Sequence, residues 1–169
     1  MQSRKFASFV LLSLAGCQSG ALAPATGPAV GGRLGPLNGA AIGGSVVFQP
    51  RADGVTMVVH VTDAAPGSYR IVIHATGNCS SRNGFSAGAP WTPPGRAPLD
   101  FTLATNTEGT LTMSTQIAGI VVDGPDGIRG KAAIIHERSV GPIDARPGVP
   151  NGRIGCAAIG DASSFDLLH

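Results

Sequence analysis

Charge is scarce in this sequence. Only 13% of the 169 residues are Asp, Glu, Lys or Arg, and beyond residue 17 ten basic residues balance ten acidic ones. That balance excludes the electrostatic footprint of a nucleic-acid-binding protein. Long solvated helices are also poorly supported, because 25 Gly and 13 Pro interrupt the chain while Val, Ile, Thr and Leu supply most of its bulk. No internal repeat is apparent, and the length suits a single domain with one core. Histidine is rarer still: there are four in all, and none between His74 and His136.

The chain starts with a basic and apolar segment. "MQSRKFASFVLLSLAGC" has a basic beginning, a short apolar stretch and small residues before a cysteine, the layout of an export signal too short to span a bilayer as a mature helix. Leu14-Ala15-Gly16-Cys17 is similar to a bacterial lipobox, which would make Cys17 the lipidated first residue of the mature chain; cleavage near Ala23 with loss of Cys17 is the alternative. The expected location is the cell envelope. Gln18 after the cysteine favours the outer membrane, facing the periplasm, by analogy with proteobacterial lipoproteins. With Cys17 set aside, Cys79 and Cys156 remain in a compartment that permits disulfides, and they are expected to pair rather than persist as buried thiols. Residues 18–40, "QSGALAPATGPAVGGRLGPLNGA", show one charge and no apolar period. They read as a flexible tether with a reach of roughly 25 Å, leaving 41–169 as the folded domain.

Within that domain, "GSVVFQP", "VTMVVHVT", "YRIVIHAT", "LDFTLAT", "TLTMSTQIAGIVV", "KAAIIHE" and "IGCAAIG" are short β-branched runs bounded by turn residues. Seven or eight strands predict an all-β sandwich or Greek-key barrel. In "YRIVIHAT", alternation puts Arg70, Val72 and His74 on one face and Ile71 and Ile73 on the other. Asp63 to Gly67 reads as a tight turn pairing the His60 strand with the His74 strand. Two long stretches, Ala75 to Leu99 and Glu137 to Arg153, lack strand character and are where a site would be carried.

Three stretches carry a family resemblance. "NGRIGCAAIG" (Asn151 to Gly160) resembles the Asn-Ala-Gly-x-Arg-x-x-Cys-Gly-Val-Ile-Gly of the copper/zinc superoxide dismutases, "IRGKAAIIHE" (Ile128 to Glu137) resembles their Ile-x-Gly-Arg-x-x-Val-Val-His, and "YRIVIHATGNC" followed by "FSAGAPWTPP" is similar to their first ligand strand and the loop after it. The resemblance covers about Gly43 to Gly160 and implies an eight-stranded Greek-key sandwich of that type. It places His74 and His136 at copper-ligand positions, Arg153 at the arginine that guides the anion, and Cys156 at the second disulfide cysteine.

Departures from the pattern fall on the chemistry. Val72 stands where the family has its first copper histidine and Pro90 where it has the histidine that bridges copper and zinc. The further zinc histidines are missing, and Asp100 is a weak zinc candidate one residue out of register. Val140 replaces an aspartate expected beyond His136, for which Asp144 could substitute only in a rebuilt loop. Two imidazoles make an incomplete copper site, so copper is expected to be held weakly or not at all, zinc not to be held, and superoxide to be turned over slowly or not at all. The other reading is an active copper-only dismutase. A third ligand would have to come from His60, a weak candidate, from the terminal His169, or from a carboxylate.

Overall fold

The computed structural model describes residues 24–137 and 152–162. The leader with Cys17, the loop positions Val140 and Asp144, and His169 lie outside the described residues. Among the described residues, ten strands form two five-stranded antiparallel sheets. The elements are β1 Val30–Arg33, β2 Gly35–Pro36, β3 Gly43–Arg51, β4 Gly54–Thr62, β5 Ser68–His74, β6 Asp100–Ala104, β7 Leu111–Ala118, β8 Ala132–Glu137, β9 Arg153–Ala158 and β10 Gly160–Asp161. One sheet has the order β10-β1-β3-β4-β7 and the other β2-β9-β8-β5-β6. Eight of these strands have four residues or more, seven of them at the runs read from sequence.

The inner faces meet as a single core. Val46 and Phe48 of β3, Val55, Met57, Val59 and Val61 of β4, Tyr69, Ile71 and Ile73 of β5, and Ala133 and Ile135 of β8 are all buried in it. Each sits at every second position of its strand, so the period-two pattern that makes a strand also builds the interior. The turn after β6 is set by Asn106, whose Oδ1 accepts from the backbone N–H groups of Glu108 and Thr110, and by Gly109 in the left-handed region at φ 75°.

Two expectations are corrected. Residues 18–40 are not all tether: Val30–Arg33 is a full strand between β3 and β10, and Val30, Leu34 and Leu37 are buried. The glycines that suggested flexibility are there for close approach. A Cβ on Gly31 would fall 2.3 Å from the Val46 carbonyl oxygen, and one on Gly32 2.1 Å from that of Ala158. The folded unit therefore includes the segment from Pro24 onward, which Thr26 and Gly27 fasten to Pro50 and Gln49.

The second correction concerns Asp63 to Gly67, which is not a hairpin turn. β4 pairs with β3 and β7, whereas β5 pairs with β6 and β8, so the connection carries the chain from one sheet to the other. Both β4 and β5 bury a full inward row, and two strands facing each other across a sandwich satisfy that as well as two side by side. Tyr69 supports the crossover by donating its hydroxyl to the Ala65 carbonyl.

Candidate functional site

The outer face of the second sheet carries the candidate residues. On β5 the outward residues are Arg70, Val72 and His74; on β8 they are Ala132, Ile134 and His136. In register, His74 lies opposite Ala132, Val72 opposite Ile134, and Arg70 opposite His136, so Val72 falls between the two histidines. Their rings nonetheless meet, with centroids 5.7 Å apart and planes 21° from parallel. Both are covered, at 1% exposure for His74 and 6% for His136.

A loop closes over His74. After the disulfide and a single 3-10 turn at Phe85–Ala87, the chain returns alongside the end of β5: Thr76 N–H donates to Ala87 O, Ala75 N–H to Ala89 O and Trp91 N–H to Ile73 O. Pro90 stands directly opposite His74. Gly88 adopts φ 75° to make the turn, and its carbonyl oxygen lies 2.8 Å from His74 Nδ1. A carbonyl can only accept, so Nδ1 carries the proton and Nε2 the lone pair. That Nε2 is buried and has no hydrogen-bond partner among the described residues. Burial holds the His74 pKa below its ordinary 6.5; the Gly88 bond opposes this, and the nearby charge of Arg153 adds to it. The ring is therefore neutral at pH 7.

Arg153 reaches this face through a bulge. Ile135 pairs with Gly155 but His136 pairs with Arg153, which leaves Ile154 as the extra residue. Gly155 faces the core against Leu34 and Ile42. Without the bulge Arg153 would share that inward face; with it, Arg153 turns outward beside His136. Its Nη1 donates to Gly84 O at 2.5 Å and its guanidinium lies 5.1 Å over the Phe85 ring, while Nε has no hydrogen-bond partner among the described residues. Asn38 Nδ2 donates to the Arg153 carbonyl at 2.8 Å. Burial lowers the Arg153 pKa, yet a guanidinium remains charged at any ordinary pH.

The Cys79–Cys156 disulfide is present, with Cα atoms 5.8 Å apart, and it fastens the loop bearing Gly84 and Gly88 to β9. Leu37, Ala87, Ala132, Ile134 and Cys156 form a small apolar cluster of their own on this side of the sheet. Asp100 lies in register with Val72 but is engaged by Arg70, Nε to Oδ1 at 3.0 Å and Nη2 to Oδ2. His60 is in the other sheet, where its Nδ1 meets Thr112 Oγ1 at 3.1 Å. The structure thus brings His74, His136 and Arg153 together and leaves His60 apart.

Several contributors were not legible beforehand. Gly84 and Gly88 act through backbone carbonyls, Phe85 through its ring and Asn38 through a carboxamide across the fold. The Asn83-Gly84 and Ala87-Gly88 steps were the available signal, since a glycine turn lets main-chain groups approach a buried side chain. One metal about 2.0 Å from a nitrogen of each ring holds the two centroids at most about 6 Å apart, so the observed separation is within reach of a shared ion. Among the described residues no group of three His, Cys, Asp or Glu side chains is placed to share one. Neutral imidazole, charged guanidinium and an apolar surround could together hold a metal through nitrogen and draw a small anion toward it. No protein-family model matches the chain.

Proposed function

We propose that this chain is an exported domain of the copper/zinc superoxide dismutase type, with the Greek-key topology of that family, whose copper site is reduced to His74 and His136 and which does not turn over superoxide at a useful rate. The observation that carries the reading is the pair of buried imidazoles 5.7 Å apart with Arg153 beside them. Copper, when bound, would supply one-electron chemistry. The residues of the chain hold the ion through Nε2 of His74 and the imidazole of His136, and Gly88 fixes the His74 tautomer in the way a carbonyl commonly orients a ligating ring. Val72 and Ile134 occupy the space between with apolar atoms, where the family resemblance places another ligand at residue 72. No zinc site is proposed, and Asp100 serves Arg70.

The reading extends to the cell. Cys17 would anchor the domain to the outer membrane by lipid, facing the periplasm. Arg153 favours the second reading, an active copper-only dismutase, because it pairs in register with His136 and the family resemblance gives it the place of the arginine that guides the anion. Loading the full chain with copper and following superoxide removal together with metal content separates the two. Removal at the rate of protein-free buffer is expected. Turnover abolished by His136→Ala would establish the copper-only enzyme instead.

A further inference from the structure

Among the described residues the two sheets end in four edge strands, β10 and β7 in one and β2 and β6 in the other. Three of them are protected. β2 and β10 are only two residues long, and β2 ends in Pro36. β6 has five residues and carries Asp100 in its ion pair with Arg70. Short length, proline and charge are the usual defences of a sheet edge against an added strand. β7 has none of them: its eight residues, Leu111–Ala118, contain no charge and no proline, and they pair with β4 in one unbroken register.

Parity fixes which main-chain groups of β7 point outward. A residue in an antiparallel strand aims its N–H and its C=O to the same side, and the side alternates along the strand. The two-residue loop Ala52-Asp53 makes Arg51 and Gly54 a hydrogen-bonded pair, so Gly54 faces β3, and Ala118 opposite it faces away from β4. The Ala118 carbonyl accepts from Arg96. At the other end Thr110 is engaged by Asn106, which accepts the Thr110 N–H at Oδ1 and donates its own N–H to the Thr110 carbonyl. Between these two lie Thr112, Ser114 and Gln116, whose outward main-chain groups have no partner among the hydrogen bonds of the described residues. The undescribed segments join the described ones at Pro24, Glu137, Gly152 and Ala162, none of them on β7 or on its neighbour β4.

This pattern selects the partner. The engaged residues Thr110 and Ala118 are equally far from Ser114, so the open set is symmetric about its middle member. A second β7 turned about a two-fold axis at Ser114 sets Ser114 against Ser114 and Thr112 against Gln116, each pair exchanging both N–H···O bonds with none left over. The opposed side chains are uncharged and do not repel. Leu111 and Met113, half-buried at the margin of the core, would come to lie beside Ile117 and Thr115 of the second copy. We propose that β7 is a docking edge for a second copy of this chain, the two joining by antiparallel β7–β7 pairing centred on Ser114. The proposal stands apart from the copper reading, because β7 belongs to the sheet that lacks His74 and His136.

An interface at the small end of the range should dissociate at a concentration on the order of 50 µM. Sedimentation of the purified full chain from well below to well above that value should pass from monomer to dimer. In dilute protein the amides of Thr112, Ser114 and Gln116 should exchange hydrogen faster than those of Met113 and Thr115, which are bonded to β4. At about ten times the dissociation concentration, where about four-fifths of the chain is dimeric, exchange at the three should slow about fivefold. Ser114→Pro removes a central N–H that no bond inside the domain uses, and should leave a folded monomer. Ser114→Glu opposes two carboxylates at the two-fold and should weaken the dimer about fivefold; it decides the case if the proline variant does not fold. A monomer at every concentration, or a dimer unchanged in folded Ser114→Pro or in Ser114→Glu, would overturn the proposal. Equal protection of the three amides at all concentrations would mean that a segment of the same chain covers the edge, and would overturn it too.

Discussion

Reducing the Cys79–Cys156 bond should cost the fold about as much as truncating a large core side chain, and should disturb the site at the same time. The bond closes a loop with a sequence separation of 77. On the chain-entropy account, a loop of that length contributes about 4.5 kcal/mol at 25 °C by restricting the unfolded chain. A domain of this size unfolds with about 0.26 kcal/mol/K of entropy, so the midpoint should fall by roughly 15 °C on reduction. The loop that is released carries the Gly88 carbonyl on His74 and the Gly84 carbonyl on Arg153, so both side chains lose an anchor. Differential scanning calorimetry of oxidised chain, reduced chain and the Cys79→Ser/Cys156→Ser variant, each with copper(I) retention measured below its midpoint, is the assay. Agreement between the reduced and double-serine samples isolates the bond itself. A midpoint shift under about 3 °C would refute the entropic reasoning, and unchanged copper retention in the reduced protein would refute the claim that the loop positions His74.

Other outcomes follow from named contacts. Gly32→Ala places a Cβ against the Ala158 carbonyl and should destabilise the domain by about 1 to 3 kcal/mol in urea unfolding; no effect would mean that β1 is dispensable. Folding lowers the proton affinity of His74, so between its folded pKa and 6.5 the unfolded chain binds more protons. Stability from this group is therefore complete above 6.5 and declines as pH falls through that window. The urea midpoint should drop less between pH 7.5 and 5.5 in His74→Gln than in the native chain, and equal drops would contradict the assignment. Arg153→Met removes the charge beside His74, and the His74 resonance should then titrate closer to 6.5 in proton NMR. Phe48→Ala, at the centre of the core, should cost about 3 to 5 kcal/mol without changing copper(I) affinity in protein that remains folded.

Periodicity made most of the sandwich legible. Alternation in "YRIVIHAT" correctly assigned Arg70, Val72 and His74 to one face, because residues buried on one side of a sheet must recur at every second position. The same pattern does not say which sheet a strand joins, and the expected pairing of β4 with β5 was a crossover instead. β1 escaped notice because its two central residues are glycines, required by the carbonyls of Val46 and Ala158 yet indistinguishable in sequence from a linker. For the site, the disulfide and the two histidines were readable as residue types. The outward turn of Arg153 was not, since it depends on a bulge at Ile154 that only the pairing of β8 with β9 reveals. Nor could the Gly88 carbonyl be foreseen as the partner that sets the His74 tautomer, because every residue has a carbonyl and only the folded loop selects one.

The central claim is that His74 and His136 hold one copper ion between them. Nitrogen-15 NMR of histidine-labelled full chain, titrated with copper(I) under nitrogen, observes each ring directly and leaves the protein diamagnetic. The account predicts that one equivalent moves the His74 Nε2 resonance and a ring nitrogen of His136 together, while His74 Nδ1 stays bonded to Gly88 and His60 does not respond. Shifts confined to His60 or His169, or no shift at the buried pair, would contradict it.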